Sequence, residues 1–172
     1  EFSRLGAKHR LRAWVLLLAL VASTSETSAD SWRAVTIGRG EGGVRMARLT
    51  PPDRHQATEL LQALVGLRDA GLREPLPLPL GASLDYAQVR RRGAPEPGAL
   101  ARIESDWQTG FEGRDAHHAM VWGRPAPFQR VREQAAGDAD QPETGERESS
   151  RFGALACRLW FPLLELESVG LS

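Results

Sequence analysis

The hydrophobic pattern changes period several times along the chain. Apolar residues run without interruption from Ala13 to Ala22, after Lys8, Arg10 and Arg12, and predict a buried helix over residues 8–23. The same charged start and apolar run imitate a secretion signal. The run is too short to cross a bilayer, which takes about 20 apolar residues in a helix. Polar residues 24–31 read as a loop. Trp32-Arg33-Ala34-Val35-Thr36-Ile37 and Val44-Arg45-Met46-Ala47-Arg48-Leu49 read as two strands, and the glycines of residues 38–43 as their hairpin loop. Thr50 before Pro51 predicts a helix cap, followed by Leu60, Leu61, Leu64, Val65 and Leu67 at helical spacing up to Gly71.

Further on, Pro75, Pro77 and Pro79 alternate with leucines. Each proline removes a donor and biases its predecessor toward extended geometry, so this stretch reads as a connector that packs its leucines. With prolines spaced by two, the PxxP pattern of polyproline ligands is absent. A short helix follows over residues 83–92, ending in Arg90, Arg91 and Arg92, which complement the helix dipole. After a turn at 94–98, Leu100, Ile103 and Trp107 mark a helix stopping near Gly110. His117 to Trp122 reads as a strand, on which the adjacent His117 and His118 would point to opposite faces and could not hold one metal. Residues 135–150 are polar and acidic, and read as a surface loop or locally disordered segment. A last helix over 151–166 carries Phe152, Leu155, Leu159, Trp160, Leu163 and Leu164, with Pro162 kinking it or starting a second short helix. These elements predict one α/β or α+β domain over residues 1–172, a small sheet flanked by helices.

Charge and composition narrow the chemistry. The chain has 172 residues, 22 basic and 22 acidic, so no global attraction for polyanions exists and any nucleic-acid contact must be local. All but one of the basic residues are arginine. The single lysine, Lys8, sits in Ala-Lys-His-Arg without a glycine-rich run, which excludes a Walker phosphate loop, and Schiff-base chemistry would have to use that residue alone. The only cysteine, Cys157, excludes an internal disulfide; its apolar helical surroundings make it a buried small hydrophobe rather than a nucleophile. A chain that starts at Glu1 reads as an internal piece of a longer protein.

Four phrases carry a family resemblance: Trp32-Arg33-Ala34-Val35-Thr36-Ile37-Gly38-Arg39; Gly71-Leu72-Arg73-Glu74-Pro75-Leu76-Pro77-Leu78; Phe111-Glu112-Gly113 with Trp122-Gly123; and Leu159-Trp160-Phe161-Pro162-Leu163-Leu164. In order and extent they resemble the carboxyl-terminal region of the RecC family, the gamma subunits of exodeoxyribonuclease V, the RecBCD helicase–nuclease. The resemblance implies a degenerate PD-(D/E)xK, restriction-endonuclease-like nuclease fold that has lost its catalytic residues. It implies a scaffold that joins RecB and RecD and helps to guide or split duplex DNA ends in double-strand-break repair by homologous recombination. It further implies that ATP and Mg²⁺ serve the partner subunits rather than this fragment, that no membrane is involved, and that the protein is cytoplasmic and nucleoid-associated in a bacterium.

The residues test that implication independently. An active nuclease of this type places one carboxylate on a strand, and a second carboxylate with a lysine on the next strand, around Mg²⁺. Neither predicted strand contains Asp, Glu or Lys. The nearest acids are Glu41 in the glycine-rich turn and Asp53, which reads as a first-turn acid favoured by the helix dipole. The hairpin is basic instead: Arg33, Arg39, Arg45 and Arg48 are the candidate contacts for DNA phosphates or for an acidic partner surface, the other reading being a solvated hairpin face. An active metal nuclease and a stand-alone protein-interaction domain are the competing functions.

Overall fold

A computed structural model describes residues 3–24, 32–40, 42–124 and 126–171. They group into two units, Glu1–Leu72 with Pro162–Ser172, and Arg73–Phe161. The predicted loop at 24–31 and Glu41 lie largely outside the described residues.

The first unit opens with helix α1 (Ala7–Ser23), where the predicted helix stands. Arg10, Trp14, Leu17, Leu18 and Val21, spaced by three and four, form its buried stripe. Thr24 ends it, its backbone N–H and its hydroxyl both bonding to the Leu20 carbonyl. Strands β1 (Ala34–Gly40) and β2 (Gly43–Leu49) pair antiparallel, from Ala34 opposite Leu49 to Gly40 opposite Gly43. The hairpin turn takes Gly42 to φ +79° and Gly43 to φ +143°, conformations that side chains oppose.

β1 therefore runs three residues past its predicted end, through glycines that read as loop. They are strand glycines because other groups come close. A Cβ at Gly38 would stand 2.7 Å from the Leu5 backbone nitrogen, and one at Gly40 would stand 2.2 Å from Cγ of Arg45. A third strand, β3 (Glu167–Leu171), pairs antiparallel with β2 from Leu49 opposite Glu167 to Arg45 opposite Leu171, giving the order β1-β2-β3. Helix α2 (Arg54–Arg73) starts later than expected. Its cap is Asp53, whose carboxylate accepts the Gln56 N–H at 2.8 Å, rather than Thr50, and the helix continues through Gly71.

The second unit is helical: α3 (Leu80–Arg91), α4 (Glu96–Thr109), α5 (Ala116–Trp122) and α6 (Phe128–Arg132), with α7 (Arg151–Leu166) passing from this unit into the first. Its core joins Tyr86, Ile103, Trp107, Phe128, Val131, Phe152 and Cys157. Phe152 stands edge-on to Tyr86 at 5.2 Å and to Phe128 at 5.1 Å. In the connector Leu78 packs against this core, as expected, with the leucines half-buried and Pro77 and Pro79 buried between them. α7 runs through Pro162 as one helix, and Leu159, Leu163 and Leu164 on it are buried.

The expected strand at 117–122 is helix α5. Asp115 nucleates it, accepting the N–H groups of His117 at 2.8 Å and His118 at 3.4 Å, a local cap that outweighs the strand-like run Ala-Met-Val-Trp. Residues 135–150 form a loop, but Glu148 and Ser150 within it are buried, so it is more than a surface segment.

Candidate nucleic-acid interface

The hairpin register divides the four candidate arginines. Side chains alternate along a strand, and paired residues share a face. Arg45 pairs with Gly38, on the face that carries the buried Ala47 and Leu49. Its stem lies against Gly40 and it is half-buried. Arg48, opposite Val35, and Arg39, opposite Val44, occupy the other face. That face is open: Arg39 and Arg48 are exposed, as are Val35, Ile37 and Val44. Arg39 and Arg48 stand four residues apart in register, about 13 Å at the strand rise. Arg33 precedes β1 and is exposed, its guanidinium donating to the Trp32 carbonyl at 2.7 Å.

On this open face, β1 and β2 carry no acid, and the side chains of Arg39 and Arg48 have no ion-pair partner among the described residues. The sheet's own carboxylate, Glu167 on β3, pairs with Leu49 and so faces the other way. Arg10 holds it through Nε, at 2.9 and 3.1 Å from its two oxygens, and through Nη2; the two side chains are 6% and 1% exposed. Lys8 is exposed on α1. Among the described residues no three His, Cys, Asp or Glu side chains converge as a metal site.

A second polar constellation is structural. Glu148 is buried, accepting from the Tyr86 hydroxyl at 2.5 Å and from Nε of Arg90 at 2.7 Å, while Gln141 bonds its backbone N–H and carbonyl. Arg90 thus serves as more than a charge at a helix end. Burial, with Glu148 adjacent, pushes the pKa of both Tyr86 and Cys157 upward, so both stay protonated near neutral pH and Cys157 is no nucleophile. His118 stacks on Trp107 at 5.4 Å with Nδ1 2.9 Å from the Glu112 carbonyl oxygen. Glu112 itself accepts the N–H groups of Gly81 and Ala82 at the start of α3.

Glu96 fastens the end of the same loop, accepting the N–H groups of Ser149 at 2.9 Å and Ser150 at 3.1 Å. Partial burial raises its pKa, but these backbone donors outweigh burial and hold the carboxyl below its ordinary value. A carboxyl depressed in this way stabilises the fold above its unfolded pKa, roughly 4.3, and the contribution disappears as pH falls through the folded value. Glu96→Gln should therefore weaken the fall in stability between neutral pH and about pH 3. Urea unfolding at both pH values checks this; an identical difference in the variant would refute the linkage.

The class these features define is an α/β chain whose small antiparallel sheet buries Ala47, Leu49 and the Glu167 side chain on one face and is basic on the other, with strands β1 and β2 free of acids and lysine. The RecC C-terminal domain family matches residues 1–91, and the chain belongs to that family. It is 40% identical over 176 residues to the RecBCD enzyme subunit RecC of Mycobacterium tuberculosis (strain ATCC 25618 / H37Rv), covering 96% of this chain and 15% of the relative. The RecBCD enzyme subunit RecC of Mycolicibacterium smegmatis is 40% identical over 173 residues, with the same shares covered. The chain thus spans about 15% of the length of these relatives. No solved structure matches it. Among the described residues no helix is long and apolar enough to cross a membrane.

Proposed function

We propose that this chain is the carboxyl-terminal part of a RecC-type subunit and works without chemistry of its own, as scaffold and DNA guide in a RecBCD-type helicase–nuclease. Its partners are RecB-like and RecD-like subunits and duplex DNA ends, in the bacterial cytoplasm at the nucleoid. ATP and Mg²⁺ act in the partner subunits. The observation that carries the reading is the β1–β2 pair: where a nuclease of the PD-(D/E)xK type needs two carboxylates and a lysine, these strands carry none and offer exposed arginines. We read the sheet as a degenerate remnant of that fold. Of the four candidate arginines, Arg39 and Arg48 are the ones presented to DNA, with Arg33 at the rim and Arg45 as their support.

Reconstitution tests this. The full-length protein should co-purify with two helicase subunits, and a complex carrying Lys8→Ala should unwind and cleave duplex at the unmodified rate. Failure to retain either subunit, or cleavage abolished by Lys8→Ala, would overturn the reading.

A further inference from the structure

The outer edge of β1 is not bare. Ser3 to Leu5 lie along it at Arg39, forming a parallel bridge between Arg4 and Arg39. The Arg39 N–H donates to the Ser3 carbonyl at 2.9 Å, and the Leu5 N–H donates to the Arg39 carbonyl at 3.0 Å. Glycine at 38 permits this approach, since a Cβ there would stand 2.7 Å from the Leu5 nitrogen. Bridge partners carry their side chains on the same side, with backbones about 4.8 Å apart. Two arginine stems are thus fixed next to each other at an open pocket of about 530 Å³ lined, among the described residues, by Arg4, Leu5, Arg39 and Gly40. Both are exposed, and among the described residues neither has an ion-pair partner. Like charges side by side in a sheet repel, so the backbone holds together two groups that an anion between them would reconcile.

We propose that Arg4 and Arg39 form a clamp for one backbone phosphate of a nucleic-acid strand. Guanidinium presents coplanar N–H donors that match phosphate oxygens, and a phosphodiester offers two non-bridging oxygens, one to each arginine. The clamp adds Arg4, outside the hairpin, to the open face and gives Arg39 a task distinct from that of Arg48. It rests on the reading of this chain as part of a DNA-handling complex.

The test uses the full complex, binding a blunt-ended duplex over a salt series. Arg4→Ala with Arg39→Ala should lower affinity several-fold and reduce the slope of log affinity against log salt by about one. Gly38→Val keeps both arginines but forces Ser3–Leu5 off the strand, and should show the same loss. Arg4→Lys with Arg39→Lys should restore the salt slope and only part of the affinity, because lysine lacks the fork. Unchanged affinity and slope in the alanine pair, with the complex intact, would overturn the clamp. So would an alanine pair that binds duplex normally but loses a partner subunit, which would assign the arginines to an acidic protein surface. Binding of inorganic phosphate that disappears in the alanine pair while duplex binding stands would also overturn it. If the unmodified protein fails to assemble with two subunits, the proposed function fails instead.

Discussion

Glu148→Ala is expected to lower unfolding stability by about 3–5 kcal/mol, the range for removing one partner of a buried ion pair. The side chains of Arg90 and Glu148 are 6% and 1% exposed, and the Tyr86 hydroxyl donates to the same carboxylate. Without it, Arg90 retains Glu146 at 3.0 Å, but that acid is 82% exposed and compensates little. Tyr86 would be left with an unsatisfied buried hydroxyl, and the loop would lose its side-chain link to Tyr86 and Arg90, while the backbone bonds of residue 148 to Gln141 remain. Glu148→Gln should cost less, since it keeps the volume and an acceptor while giving up the charge. Denaturant unfolding of the two variants beside the parent measures this. A loss under about 1 kcal/mol for alanine would mean that water replaces the carboxylate, and would remove Glu148 as the loop's anchor.

Sequence reasoning reached what depends on local pattern. Helix α1, both hairpin strands, α4 and the burial of Cys157 follow from spacing and composition, because each segment's own residues decide its state; that α1 buries only one stripe and leaves Leu16 exposed does not. The misses share a cause: a distant or competing partner decided them. Gly38 and Gly40 are strand residues because Leu5 and Arg45 come close to them, which no window around 38–43 reveals. β3 follows α7 without a break and exists because β2 offers it a free edge. His117–Trp122 is strand-like by content, yet Asp115 caps it into a helix, a signal that was present in the sequence as an acid before a short periodic run. In sequence Glu148 is one acid among several in a polar segment, and its burial comes from Tyr86 and Arg90 in α3. The candidate site was legible as a cluster of arginines but not as a geometry. The register separates Arg45 from Arg39 and Arg48, and Arg4 enters only through pairing across the edge of β1.

Arg10 shows the same limit and carries the second large effect. In sequence it is one of three charges ahead of an apolar run; in the fold it is buried and binds both oxygens of Glu167, the residue that starts β3. The pair ties α1 to the face of the sheet that buries Ala47 and Leu49. Arg10→Ala should therefore lower stability by about 3–5 kcal/mol, most of it from leaving the Glu167 carboxylate buried without a counter-charge. The test is a double-mutant cycle with Arg10→Met and Glu167→Leu. Each single variant should be strongly destabilised. The double variant should return to within about 1 kcal/mol of the parent or exceed it, because two apolar side chains of similar volume need no desolvation of charge. Additive losses would show that the two residues act independently, and would dissolve the tie between helix and sheet. A double variant that is stable and still binds duplex with the parent's salt slope would show that the buried Arg10–Glu167 pair makes no phosphate contact and serves the fold alone.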